Sequence, residues 1–266
     1  MNLLTIIDQY VHEDVMIAFS GGVDSTLLLK MAVEASKKYH THVYAITIQT
    51  ALHSVMEADE AKRMAEEIGA IHKVIHVDEL EGAGIENNPV NRCYLCKKYM
   101  FTKVKELAHS LGISTILEGT NADDLKQYRP GIKAIQELGL HSPLLEANMT
   151  KKEIRELAST YDLKAANKPS SPCLATRFPY NTLLNYEEMR KVEKIEDYLH
   201  TLGFYNVRAR IHNDLVRLEI DQNAFMECMD KRQEIVLFIK ELGYDYITLD
   251  LEGFRSGSQD IKLEEK

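Results

Sequence analysis

Between Asp14 and Leu117 the chain alternates short apolar runs with longer helical ones, and this alternation limits the fold more than any other feature. Strand candidates at residues 14–20, 43–48, 71–77 and 115–117 are separated by helical stretches at 25–37, from Ser54 to Gly69, and at 97–111. Ser54-Val55-Met56-Glu57 has the form of a capping box, and Gly69 and Gly112 stand where helices stop. Strands that alternate with helices are joined by crossovers. The expected fold class is therefore α/β, a doubly wound and mainly parallel sheet. Ligands of such sheets lie beyond the carboxyl ends of the strands, which singles out the turns after Phe19, Ile48 and Leu117.

The second half reads differently. A capping box at Thr150-Lys151-Lys152-Glu153 opens a helix expected to run to Tyr161. Residues 164–185 carry Pro169, Pro172 and Pro179 with little periodicity, the mark of a functional loop or linker. Beyond it the pattern predicts a helix at 186–202 capped by Asn185, strands at 206–211 and 215–220, a helix at 222–242 capped by Asp221, and a strand at 246–249. That order suggests a small α+β domain with its helices on one face. The expected division is 1–163 for the α/β domain, 164–185 for a loop carrying Cys173, 186–255 for the α+β domain, and 256–266 for a polar, fraying tail.

Composition excludes several classes. Thirty-two basic against 41 acidic residues leave a net charge of −9, which argues against a main task of gripping a nucleic-acid backbone but does not exclude a small phosphorylated substrate in a local basic pocket. Four cysteines are too few for a secreted disulfide scaffold. Asp8 interrupts the N-terminus before a signal-like run develops, and no apolar run approaches the ~20 residues of a membrane span. The expectation is a soluble, cytoplasmic protein with no membrane association and with reduced or ligating cysteines.

Ser20-Gly21-Gly22-Val23-Asp24-Ser25 lies between a strand and a helix, where backbone N–H groups and a helix N-terminus hold phosphate. Gly21 and Gly22 permit positive φ and close approach of an anion, and Ser20 and Ser25 add hydroxyls. Asp24 repels bare phosphate, so its expected task is Mg²⁺. The Gly-Lys-Ser/Thr ending of γ-phosphate-cleaving enzymes is missing. Glu118-Gly119-Thr120-Asn121-Ala122-Asp123-Asp124 follows the fourth strand candidate and emerges at the same sheet edge, either as a second nucleotide contact or as a polar turn capping the next helix.

The first of these loops resembles the pyrophosphate (PP) loop of the ATP-pyrophosphatase family, which includes GMP synthetase, argininosuccinate synthetase and tRNA thiolases. The resemblance implies cleavage of ATP between its α and β phosphates, with Ser20, Gly21, Gly22, Asp24, Ser25, Gly119, Thr120, Asn121 and Asp124 holding ATP and its metal. Three further segments narrow it: Tyr128-Arg129-Pro130-Gly131; Asn91-Arg92-Cys93-Tyr94-Leu95-Cys96-Lys97, just ahead of a predicted helix; and the stretch from Lys168 to Tyr180 with Cys173-Leu174-Ala175-Thr176-Arg177 at its centre. Together they resemble the LarE family of ATP-dependent sulfur transferases in nickel-pincer cofactor synthesis. The resemblance continues through Val207-Arg208-Ala209-Arg210 and Leu215-Val216-Arg217-Leu218-Glu219. Thr176 stands where that family more often has serine, which keeps the hydroxyl.

What this resemblance implies is adenylation of a carboxylate of pyridinium-3,5-biscarboxylic acid mononucleotide, followed by displacement of AMP by sulfur. Cys173 takes the sulfur-donor position, with Arg177 and Asp24 as further catalytic residues. Arg208, Arg210 and Glu219 would contact substrate, and Glu196 stands near them. Members form homo-oligomers, which carries over as an expectation. Cys93, Cys96 and Cys173 depart from the single-cysteine form and resemble the branch bearing a [4Fe-4S] cluster, whose open iron would carry a sulfide. Cys228 shares a helical stripe with Ala224, Ile235, Ile239 and Leu242 and reads as core. Two rival readings stay open: a tRNA thiolase, and a LarE protein without a cluster in which Cys173 surrenders its own sulfur.

Overall fold

The structure, a computed structural model, describes residues 2–50, 52, 55–126, 129–167, 173–255 and 258. The capping serine expected at Ser54, residues 168–172 of the proline-rich loop, Tyr128 and most of the tail lie outside the described residues. The chain divides into two units: Met1–Ile85 with Asn91–Ser171, and Glu86–Val90 with Pro172–Lys266.

The first unit runs α1 (Leu3–Tyr10), β1 (Val15–Ala18), α2 (Val23–Ser36), β2 (Val43–Gln49), α3 (Val55–Ile68), β3 (Ile71–His76), α4 (Glu79–Gly82), α5 (Arg92–Ser110), β4 (Thr115–Leu117), α6 (Gly131–Leu138), α7 (Pro143–Glu146) and α8 (Lys151–Thr160). Its four strands are parallel in the order β3-β2-β1-β4. The alternation of side chains along a strand decides which core each residue enters. Val15 and Ile17 of β1 pack with Leu27 and Leu28 of α2 and Ile154 of α8. Met16, between them, joins Phe101 and Val104 of α5 and Ile135 of α6. Helices thus cover both faces, as a parallel sheet requires, and each fully buried Ile or Leu contributes ~1.5–3 kcal/mol.

The strand order also fixes the location of the site. From β1 the chain winds through β2 and β3 to one side, then returns to place β4 on the other. The crevice at the carboxyl ends of β1 and β4 is the topological switch point. The two candidate nucleotide loops follow those two strands.

The second unit holds α9 (Tyr186–Thr201), β5 (Val207–His212), β6 (Leu215–Ile220), α10 (Phe225–Asp230), α11 (Arg232–Glu241) and β7 (Tyr246–Leu249). Its sheet is mixed, with β6 antiparallel to β5 and parallel to β7. Asn185 caps α9 through a 2.7 Å bond from Glu187 N, and Met189, Val192, Ile195 and Leu199 form the buried stripe of that helix. Residues 86–90 belong here because the buried Asn88 amide donates to the carbonyls of Phe178 and Pro179.

Three expectations need correction. The helix predicted from Lys97 begins at Arg92, so Cys93 and Cys96 lie within its first five residues rather than ahead of it; Asn91, a residue of capping type, stands at the N-cap but makes no side-chain cap. The helix predicted over 222–242 breaks at Lys231, whose ammonium reaches the Leu202 carbonyl at the end of α9. Asp221 forms no side-chain cap, because its carboxylate accepts from Asn206 N and Nδ2. Cys228 is buried, as its stripe indicated.

Candidate active site

The loop after β1 is braced by its own hydroxyls. Ser25 Oγ donates to Gly22 O and accepts from Ser20 N, while Ser20 Oγ accepts from Gly22 N. Gly21 has φ +72°, a conformation that excludes most side chains. Gly22 does not: it is extended, with φ −75°, and what limits it is the Ser20 hydroxyl 3.3 Å from where a Cβ would stand. As N-cap of α2, Gly22 offers no side chain to the first turn, which leaves N–H groups of α2 available to an anion. Behind the loop, Thr47 donates its hydroxyl proton to Phe19 O. Only its lone pairs then face His72 Nε2 at 2.8 Å, so that nitrogen carries the hydrogen. Burial pulls the His72 imidazole below its ordinary value.

The loop after β4 comes against the first. A Cβ on Gly119 would stand 3.2 Å from both Asp24 Cβ and Ser25 N, a tight fit that would press the two loops apart by a few tenths of an ångström. Glu118, buried, accepts from Thr120 N, Thr120 Oγ1 and Ser142 Oγ, which fixes the loop's entry. Asn121 Oδ1 accepts from Asp123 N and Asp124 N, capping the short 3-10 turn Ala122–Lys126. Asn121, not either aspartate, is the residue that caps. Asp124 accepts from Asn121 N and pairs with Arg129 at 3.1 Å. Asp24 receives Asn121 Nδ2 at 3.4 Å on one oxygen and the Lys151 ammonium on the other. No sequence signal marked Lys151 as belonging here; it lies 127 residues from its partner.

The second unit presents Cys173 on a rigid turn. Cys173 precedes the 3-10 turn Leu174–Arg177 and is half-buried. Its carbonyl accepts from Thr176 N, Thr176 Oγ1 and Arg177 Nη1. Arg177 grips Glu196 with two bonds of 2.9 and 2.6 Å, and Glu196 also takes Ala209 N. Arg210 repeats the arrangement: it forks onto Glu219 at 3.1 and 3.0 Å and donates to Thr176 O. Ser258 closes on that second pair. All four charged side chains are less than one-tenth exposed, so each pair is a desolvated bidentate fork rather than a surface contact.

Arg208 differs. Among the described residues no carboxylate pairs with it; its guanidinium lies 5.1 Å over the Phe254 ring. Burial, with Arg177 and Arg210 adding like charge, pulls it down to about 10. A cation so placed is relieved by an anion.

The PP-loop domain family matches residues 1–173. The pyridinium-3,5-bisthiocarboxylic acid mononucleotide synthase of Lactiplantibacillus plantarum is 37% identical over 249 residues, 94% of this chain and 90% of that protein. An uncharacterised Synechocystis protein is 36% identical over 91% of this chain and 90% of its own length. The tRNA-specific 2-thiouridylase MnmA of Carboxydothermus hydrogenoformans is more distant, at 24% over 70% of this chain and 60% of its own length. The chain belongs to the LarE family.

It is accordingly an ATP-dependent sulfur transferase of PP-loop architecture. In this LarE-family chain Cys93 is exposed and Cys96 partly so, both within the first five residues of α5 and three residues apart on one face. Cys173 belongs to the other unit. Within either unit, among the described residues, no three His, Cys, Asp or Glu side chains gather closely enough to hold a metal ion. No described helix is long and apolar enough to cross a membrane. The two arginine–glutamate forks were not legible as forks: Arg210 and Glu219 were expected to reach for substrate, and in this structure they reach for each other.

Proposed function

We propose that this protein uses ATP to adenylate a carboxylate of pyridinium-3,5-biscarboxylic acid mononucleotide and then exchanges AMP for sulfur, leaving a thiocarboxylate. The observation that carries the reading is the meeting of the two nucleotide loops on Asp24 at the switch point, with Gly119 packed against Ser25 N. A bare carboxylate is a poor electrophile, and adenylation supplies its leaving group. The substrate's oxygen attacks the α-phosphorus, pyrophosphate departs, and the mixed anhydride keeps AMP as the second leaving group. Ser20, Gly21, Gly22, Ser25, Gly119, Thr120, Asn121 and Asp124 form the phosphate and nucleotide cradle. Asp24 offers the hard oxygen that Mg²⁺ favours, the ion's other ligands being phosphate and water.

Cys173 is the sulfur position, and Arg177 acts on it by holding its carbonyl. Arg208 supplies the anion contact, while Arg210 and Glu219 shape the wall beside it. A [4Fe-4S] cluster on Cys93, Cys96 and Cys173 would supply an iron free to bind sulfide; the spacing and exposure of Cys93 and Cys96 support that ligand set. The rival, sacrificial reading has Cys173 give up its own sulfur. The protein is expected to act on this small nucleotide as a homo-oligomer. The net charge of −9 speaks against tRNA as substrate.

Anaerobically prepared protein given MgATP, sulfide and the biscarboxylate is expected to release AMP and pyrophosphate over many turnovers, and Asp24→Asn to abolish both. About four irons per chain, lost in Cys93→Ala, accompany the cluster reading. ADP and phosphate as products would overturn the adenylation route. Iron-free protein whose mass falls by H₂S at Cys173 would establish the sacrificial one.

A further inference from the structure

Lys151 is a cation in a position that local electrostatics disfavours. It is the first residue of α8, where the helix dipole is positive. The backbone there cannot shift readily: Lys151 N donates to Asp123 Oδ2 at 2.8 Å, and Thr150 and Glu153 close a complete capping box around it. Ala122 N bonds to Met149 O, so the entry to α8 is sewn to the second nucleotide loop. Only the side chain is left to move, and it is 36% exposed. It ends on Asp24 Oδ2. The other two acids of this region have their own cations, Lys126 for Asp123 and Arg129 for Asp124, so Lys151 is not required for them.

A divalent cation on the same carboxylate oxygen repels the ammonium more strongly than that oxygen attracts it, because a double charge at about 4 Å outweighs a single one at about 3 Å. We infer that Lys151 is an exchangeable counterion: it occupies Asp24 until the metal arrives with the polyphosphate, then turns its ammonium onto that polyphosphate. This rests on the reading that the loop binds ATP with a divalent cation. The exchange gives Asp24 a cationic partner in both states. Without nucleotide, Asp24 is paired with Lys151; with it, Asp24 is paired with the metal, and the phosphates with metal, N–H groups and ammonium. Metal alone is then admitted poorly, and metal with nucleotide well.

The test uses the full chain, Mn²⁺ followed by electron paramagnetic resonance, and α,β-methylene ATP as a probe that cannot be cleaved. Exchange predicts effects of opposite sign. Lys151→Met should bind Mn²⁺ alone about fivefold more tightly, the worth of a partly exposed ion pair. It should bind the analogue with Mn²⁺ at least about tenfold more weakly, the worth of a charged hydrogen bond. Lys151→Arg should restore the wild-type order. A Lys151→Met protein that loses both affinities together, or neither, overturns the inference while leaving the nucleotide reading intact. Wild-type protein that binds no analogue with Mn²⁺ overturns the nucleotide reading and the inference with it.

Discussion

Replacing Arg177 by methionine tests how Cys173 is held. The guanidinium makes two bonds to Glu196, at 2.9 and 2.6 Å, and two more to the turn, at 3.2 Å to Cys173 O and 2.9 Å to Thr176 Oγ1. Removing it leaves the Glu196 carboxylate desolvated, still accepting from Ala209 N at 2.9 Å but without its cation. Breaking one partner out of a buried pair costs ~3–5 kcal/mol. For a chain of this size each kcal/mol moves the melting temperature by ~2–4 °C, so a fall of ~6–20 °C is expected. The double variant Arg177→Met with Glu196→Leu removes both charges, and apolar replacement of a whole buried pair is often close to neutral. Its melting temperature should therefore return most of the way, while sulfur transfer stays lost because the Cys173 carbonyl still lacks its arginine. Calorimetry on the four proteins of this cycle, with thiocarboxylate formation alongside, reads both effects. Additive losses of stability, or recovery of sulfur transfer in the double variant, would refute the argument that Arg177 positions the cysteine turn and that Glu196 holds Arg177.

Two further predictions concern titration. Arg208, pulled down to about 10 without a carboxylate partner, should give an anion affinity that is level through neutral pH and declines as pH rises past about 10. Arg208→Met should lose ~10–100-fold in substrate affinity, the worth of a charged hydrogen bond; unchanged affinity would contradict the assignment. His72 lies below its unfolded value of 6.5 because of burial, so the unfolded chain binds this proton more tightly. Stability should fall as pH drops below about 6.5 through the folded value, and His72→Gln should flatten that part of the urea-midpoint profile, with no change at pH values above 7.

The architecture was legible where its cause is local. Strand–helix alternation follows from side-chain periodicity, and it specified the parallel sheet whose two faces Val15 and Met16 enter. The capping box at Thr150 and the cap at Asn185 are signals carried within four residues, and both are present. The glycine loop could be recognised because a phosphate cradle needs its residues consecutive. Boundaries were missed at two places: α5 starts at Arg92, directly after an Asn91 of capping type that makes no side-chain cap, and the break between α10 and α11 accompanies a lysine that reaches the end of another helix.

What the sequence by itself determined, then, was which segments fold into which elements and which glycine loop has the form of a PP-loop. Which charges face each other was decided only by the tertiary structure. Lys151 meets Asp24 because the strand order brings α8 and the switch point together, and no spacing along the chain encodes a partner 127 residues away. Arg177 and Glu196, and Arg210 and Glu219, look in the sequence like four groups available to a ligand. Burial changes that, because a desolvated guanidinium needs a carboxylate more than an exposed one does, and the fold supplies Glu196 to Arg177 and Glu219 to Arg210, but none to Arg208 among the described residues.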